Sequence, residues 1–227
     1  MIDEPAEAEP GPATLTEPRR LRALELALVT LTSFLPAILF SLEIWWTGDA
    51  PTAETAFVSL ERILYAVLSL SLLVYVLRRQ GRNLRAIGVT FQRADILWVL
   101  PLLFFSRVLW GEAAGVISQL ELSTIPPPAM DPSWIAWLAV LPSAACEELI
   151  VRAFLMTEVA ALTGTMALAV VASVGYQTLY HLYQGTAPAL ASAGMFFVFA
   201  VFYASTRRIT PVVLAHALLN FWSMAAR

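Results

Sequence analysis

Lysine is absent from this chain, cysteine occurs once, histidine occurs twice, and only 14% of the 227 residues are charged. The single cysteine, Cys146, excludes an intramolecular disulfide. The low charge content excludes a water-soluble domain with an ordinary polar surface, and a formal net charge of -3 argues against nucleic acid as a partner. Hydrophobic residues make up 59% of the chain, which predicts an integral membrane protein with lipid as its surroundings.

Long apolar stretches predict an all-α fold, a polytopic bundle of transmembrane helices. Each stretch is long enough to form a membrane-spanning helix of about 20 residues, so we predict about seven helices. Pro142 could break the fourth stretch in two, which would make the count about eight. The stretches run over residues 21–46, 56–77, 94–119, 134–162, 166–184, 187–206 and 209–226.

The arginines indicate how the helices are oriented. They precede the first predicted helix and occupy the loops after the second and sixth helices, whereas the loops at 47–55 and 120–133 contain none. By the positive-inside rule, the N-terminus is cytoplasmic. Residues 1–18 are rich in Glu, Pro and Ala and are predicted to be a disordered cytoplasmic tail. The short, lysine-free and arginine-rich chain favours a bacterial plasma membrane.

Charged residues inside the fourth apolar stretch are the first candidates for a functional site, because charge within a bilayer is costly. Glu148 and Arg152 are four residues apart, so they can neutralise each other on one helix. On its own this pair is explained by packing. Glu147 points about 100° away from Glu148 and has no partner in its own helix. A second carboxylate without a packing role is suited to act as a general base.

The two histidines lie in later apolar stretches. His181 is close to the end of the fifth stretch among several tyrosines, where an interfacial aromatic cluster is the alternative to a catalytic role. His216 and Asn220 are one turn apart on the same helix face, so both must face protein or a water-filled cavity. A helix–helix hydrogen bond is the alternative for this pair. A carboxylate, two imidazoles and an amide can together form a hydrolytic site.

The run Glu147-Glu148-x-x-x-Arg152, then His181, then His216-x-x-x-Asn220 is similar to the three motifs of a known family. This is the CAAX prenyl protease and bacteriocin-processing family of intramembrane endopeptidases, often called the Abi family, to which the Ras-converting CAAX endopeptidases belong. The resemblance covers roughly residues 132–225. It implies N-terminal transmembrane helices at 19–131, a catalytic core at 132–227, and a protein or prenylated peptide as the substrate.

The resemblance also implies a role for each motif residue. Glu147 would activate a water with help from His181, and His216 and Asn220 would stabilise the tetrahedral oxyanion. Glu148 and Arg152 would support the site, and no cofactor is expected. One position departs from the family, which usually has Phe four residues before the first histidine. Gln177 stands there, and Tyr176 is the nearest aromatic ring.

Three alternatives stay open at this stage. Glu147, His181 and His216 could bind zinc with a water as the fourth ligand. We prefer the metal-free mechanism because these ligands are far apart in the sequence and the chain has no His-Glu-x-x-His motif. A non-catalytic immunity or scaffold protein of the same family is the second alternative. A transporter with a proton relay is the third, and the lack of internal repeats argues against it.

Overall fold

The computed structural model describes residues 19–50, 55–129 and 133–226, so the tail predicted at 1–18 lies outside the described residues. Within these ranges the chain is helical and contains no β-strand. The principal helices are α1 (Arg19–Thr47), α2 (Ala56–Arg79), α3 (Ala94–Ile117), α4 (Trp134–Thr163), α5 (Met166–Leu179), α6 (Thr186–Thr206) and α7 (Thr210–Ala225).

Among the described residues, five helices are long and apolar enough to cross a membrane, namely α1, α2, α3, α4 and α6. The surface agrees with this, because large apolar side chains on α1 are exposed at intervals of three or four residues and form one stripe. The stripe consists of Leu24, Leu28, Leu31, Leu35 and Leu39. The fold is therefore a polytopic helical membrane bundle, as predicted.

The predicted lengths were wrong for two helices. α5 contains 14 residues and α7 contains 16, both shorter than a span of about 20 residues. α5 ends at Leu179 and not near residue 184, because the chain turns at residues 180–185 and packs there against α1.

α4 is continuous through Pro142, so the alternative with eight helices was wrong. Its first part, Trp134–Glu147, is α-helical and contains the proline. A π-helical turn follows at Glu148–Phe154, and the last part, Leu155–Thr163, is α-helical again. Proline lacks an N–H and so removes one backbone hydrogen bond, which the neighbouring helices can compensate inside a membrane bundle.

Side chains from neighbouring helices cap the backbone of the π turn. The Ser173 hydroxyl donates to the carbonyl of Val151 at 2.9 Å, and the Tyr203 hydroxyl donates to the carbonyl of Ala153 at 3.1 Å. Val151 and Ala153 are both fully buried. A π-helical turn is frequent at functional sites. Here it lies in the centre of the bundle, between α1, α5 and α6.

The turn after α5, which carries His181, is fixed by its neighbours. The amide of Ile125 donates to the carbonyl of Gln184 at 2.9 Å, and the Tyr183 amide donates to the Ser41 hydroxyl at 2.7 Å. Gly185 closes the turn with φ 91, and a Cβ atom there would lie 2.5 Å from the carbonyl oxygen of residue 123. Only glycine fits both the backbone angle and the space. The loop before α4 therefore holds the His181 turn in place.

Buried carboxylates are paired with arginines where α1 begins, α2 ends, α3 begins and α4 ends. We call this the arginine-rich end of the bundle. The pairs are Glu25 with Arg79, Glu158 with Arg22 and Arg82, and Asp95 with Arg208. These contacts join the N-terminal helices to the segment that carries the candidate site.

Candidate active site

The two adjacent glutamates lie at the junction between the first α-helical part of α4 and its π turn. Glu147 is the last residue of the α-helical part, and Glu148 is the first residue of the π turn. Glu148 is fully buried, whereas Glu147 is half-buried. Two neighbours in the sequence therefore face different surroundings.

Glu148 lies between the side chains of Arg152 and His216. Its Oε1 atom is 2.8 Å from Nδ1 of His216, and its Oε2 atom is 3.7 Å from Nε of Arg152. Arg152 is also fully buried; its Nη2 donates to the Phe196 carbonyl at 3.4 Å, and its guanidinium lies 5.5 Å from the centre of the Phe196 ring. The structure thus contains the Glu148–Arg152 pair and adds His216 from α7 as a second partner.

The side chain of Glu147 accepts hydrogen bonds from a residue of α5 and from the first residue after α5. The Tyr180 hydroxyl donates to Oε2 at 2.9 Å, and the Gln177 side-chain amide donates to the same oxygen at 3.2 Å. Both donors are neutral, and both bind one carboxylate oxygen. The other oxygen, Oε1, makes no hydrogen bond to the described part of the chain.

His181 is oriented by the backbone of α5. Its Nδ1 donates to the carbonyl of Gln177 at 2.9 Å, and its ring lies against Tyr180 and Phe196 at centroid distances of 4.7 and 4.8 Å. A carbonyl only accepts hydrogen bonds, so Nδ1 carries the proton. In the neutral ring, Nε2 of His181 is therefore an acceptor.

Tyr176 does not replace the aromatic ring that the family places four residues before the histidine. Its hydroxyl donates to the carbonyl of Thr30 at 2.7 Å, and its ring packs edge-on against Phe34 at 5.9 Å. Tyr176 is thus directed towards α1. The phenylalanine ring against His181 comes instead from Phe196 on α6.

His216 and Asn220 lie on α7 in different surroundings. His216 is 3% exposed, next to the Phe199 ring and bound to Glu148. Asn220 is half-buried, and its side chain makes no hydrogen bond to the described residues. Glu147 is bound by Tyr180, whose ring lies against His181, and the next residue, Glu148, is bound to His216. The structure therefore brings Glu147, His181 and His216 into one cluster, and Asn220 follows one helical turn later.

Sequence reasoning missed the parts played by Gln177, Tyr180 and Phe196. Gln177 was noted only as a departure from a motif, and Tyr180 was interpreted as part of an interfacial cluster, although it is 7% exposed. The available signal was a glutamine four residues before a histidine, since the two share one helix face. Phe196 had no signal, because it approaches His181 from another helix.

The zinc alternative requires Glu147, His181 and His216 to act as three ligands of one ion. Within residues 19–50, 55–129 and 133–226, no three Cys, His, Asp or Glu side chains form a group that could hold a metal ion. Nδ1 of His181 is bound to a carbonyl and Nδ1 of His216 is bound to Glu148, so each ring has only Nε2 left for a further partner. We therefore derive no step through a metal.

Comparison with known proteins supports the resemblance seen in the motifs. Residues 129–222 match the family model described as "Type II CAAX prenyl endopeptidase Rce1-like". No curated protein and no solved structure matches the chain. The matched segment contains both glutamates, both histidines, Arg152 and Asn220. The apolar helices thus identify an integral membrane protein, and the match shows that its residues 129–222 are similar to the Rce1-like CAAX prenyl endopeptidase family.

Proposed function

We propose that this chain is an intramembrane endopeptidase that hydrolyses a peptide bond of a protein or prenylated peptide with a water activated by Glu147. One observation carries the proposal: the two adjacent glutamates differ in their partners. Glu148 contacts Arg152 and His216, whereas Glu147 is held by two neutral donors through one oxygen only. Glu147 therefore keeps an oxygen with which to accept a proton.

Glu147 and His181 act on the water. A water between them donates one hydrogen bond to Oε1 of Glu147 and one to Nε2 of His181, because both atoms are acceptors. The water transfers a proton to Glu147 as its oxygen forms a bond to the peptide carbonyl carbon. Tyr180 and Gln177 hold the carboxylate so that Oε1 faces this water.

His216 and Asn220 stabilise the charge that develops on the carbonyl oxygen. The side-chain amide of Asn220 and Nε2 of His216 donate hydrogen bonds to the oxyanion. This role requires that both nitrogens of His216 carry a proton, since Nδ1 already faces the carboxylate of Glu148. Glu148 supplies the negative charge next to that imidazolium, and Arg152 holds Glu148.

The tetrahedral intermediate collapses with transfer of the proton from Glu147 to the leaving amine. The oxyanion re-forms the carbonyl as the C–N bond breaks, and the amine departs with the proton from Glu147. The new carboxylic acid keeps the oxygen and the second proton of the water, and it releases that proton to solvent when it ionises. Glu147 returns to its ionised form. No cofactor takes part in this sequence.

The experiment that tests the proposal is a search for cleavage products in cells that express the chain. Peptide fragments should accumulate with the unmodified protein and be absent with Glu147→Gln, which keeps the shape of the side chain and loses the base. Glu112→Gln is the matched control, because Glu112 is an exposed glutamate outside the site. Identical fragments from all three proteins would contradict the proposal and favour a non-catalytic immunity or scaffold role.

We also propose that the arginine-rich end faces the cytoplasm of a bacterial cell, in its plasma membrane. The positive-inside rule supports this orientation, because the loops at the opposite end contain no arginine. A reporter enzyme that works only in the cytoplasm should be active when it is fused to the N-terminus. A reporter enzyme that works only outside the cytoplasm should be inactive in the same position.

A further inference from the structure

A cavity of about 260 Å³ lies at the arginine-rich end, beside the C-terminal turn of α2. Three of the residues that line it are arginines, Arg78, Arg82 and Arg85, and the polar side chain of Asn83 lies between them in the sequence. The cavity is far along the chain from the candidate active site and shares no residue with it.

The arginines of this cavity are not equally neutralised. Arg82 pairs with the buried carboxylate of Glu158. Arg78 and Arg85 are exposed, and neither forms an ion pair with the described residues. Two positive charges at the cavity therefore lack a counter-charge among the described residues. Such a pair can bind a phosphate oxyanion through charge-assisted hydrogen bonds.

The remaining wall of the cavity is apolar. Val74, Leu77 and Leu84 line it together with the arginines. α2 is also one of the helices that are long and apolar enough to cross the membrane, so its last turn meets the membrane surface. A site with cationic groups on one side and apolar groups on the other suits a ligand that has a charged head and a hydrocarbon tail.

We infer that this cavity binds the phosphate group of an anionic membrane phospholipid. Clusters of basic residues directly after a transmembrane helix are known to bind such headgroups. The cavity is smaller than the roughly 300 to 1,000 Å³ of sites that enclose a whole small molecule. It therefore accommodates a headgroup while the acyl chains lie along α2 in the bilayer.

Binding measurements on the full chain, purified in an uncharged detergent, test this inference. Short-chain phosphatidylglycerol is the probe, and short-chain phosphatidylcholine and inorganic phosphate are the comparisons. The test variant is Arg78→Gln/Arg85→Gln. The matched control is Arg20→Gln/Arg93→Gln, which removes two exposed arginines that do not line the cavity.

We expect phosphatidylglycerol to bind the unmodified protein at least about tenfold more tightly than phosphatidylcholine does. The Arg78→Gln/Arg85→Gln variant should lose about tenfold or more in affinity for phosphatidylglycerol, and the control variant less than about twofold. Both variants should unfold at the temperature of the unmodified protein, because the replaced side chains are exposed.

Three results would overturn the inference. Equal binding of the two phospholipids would show that the cavity does not distinguish an anionic headgroup from a zwitterionic one. Equal losses in the two double variants would make the attraction a general effect of charge at this end. Inorganic phosphate that binds as tightly as phosphatidylglycerol would make the cavity a site for the free ion.

Discussion

Replacing Glu148 by Gln should destabilise the folded protein, whereas the same replacement of its neighbour Glu147 should leave stability nearly unchanged. Glu148 is fully buried between Arg152 and His216, and Arg152 is fully buried too. Neutralising Glu148 leaves a buried guanidinium without its counter-charge. Glu147 is half-buried and contacts only neutral donors, which a glutamine can also satisfy.

The expected magnitude follows from burial of the pair. Removing one partner of a buried ion pair costs about 3 to 5 kcal/mol, because the remaining charge is neither solvated nor paired. That is a large fraction of the roughly 5 to 15 kcal/mol by which a folded protein is stabilised. The Glu148→Gln variant should therefore be extracted in lower yield. Removing both charges in Glu148→Gln/Arg152→Met should recover most of the loss, because no unpaired charge then remains buried.

Thermal unfolding in detergent measures these differences, with cleavage of a substrate peptide as the second readout. Glu147→Gln should unfold like the unmodified protein and lose about a hundredfold or more in activity. Glu148→Gln should lose both stability and activity, and Glu148→Gln/Arg152→Met should recover stability without activity. An unfolding temperature for Glu148→Gln equal to that of the unmodified protein would refute the buried-charge reasoning.

Further predictions concern the rest of the site. His216→Ala and Asn220→Ala should each lower kcat by about a hundredfold with little change in KM. The double variant should lose less than the product of the two single losses, because both residues act on one oxyanion. A rise in KM alone would make them substrate-binding residues. Tyr180→Phe should lower activity by about tenfold, the value of one hydrogen bond to a charged group, and Tyr75→Phe is the control because Tyr75 is exposed on α2 outside the site. Unchanged activity in Tyr180→Phe would remove Tyr180 from the positioning of Glu147. Dialysis against a strong chelator should leave the cleavage rate unchanged, and activity that is lost and then restored by zinc would contradict the metal-free mechanism.

The sequence alone was sufficient for the class of fold and for most helix boundaries. An apolar stretch marks the residues that lie in lipid, so its ends predict the ends of the helix. The predicted helix at 21–46 corresponds to α1 at Arg19–Thr47. The predicted stretch 56–77 similarly corresponds to Ala56–Arg79. Hydropathy did not predict where α5 ends. Its end depends on contacts of the following turn with residues 41 and 123–125, which are distant in the sequence.

In the candidate site, too, some contacts followed from the sequence and others depend on how the helices pack. Glu148 and Arg152 are four residues apart on one helix, so their contact followed from helical geometry. The contact between Glu148 and His216 spans 68 residues, and the one between Glu147 and Tyr180 spans 33. Neither follows from local periodicity, because each depends on how α4 packs against α5 and α7. The π turn is likewise bound by side-chain donors from α5 and α6, at Ser173 and Tyr203. Sequence alone thus identified the charged groups within the bundle and the pairing of Glu148 with Arg152, and tertiary packing decided that His216 also contacts Glu148 and that Glu147 accepts its hydrogen bonds through one oxygen only.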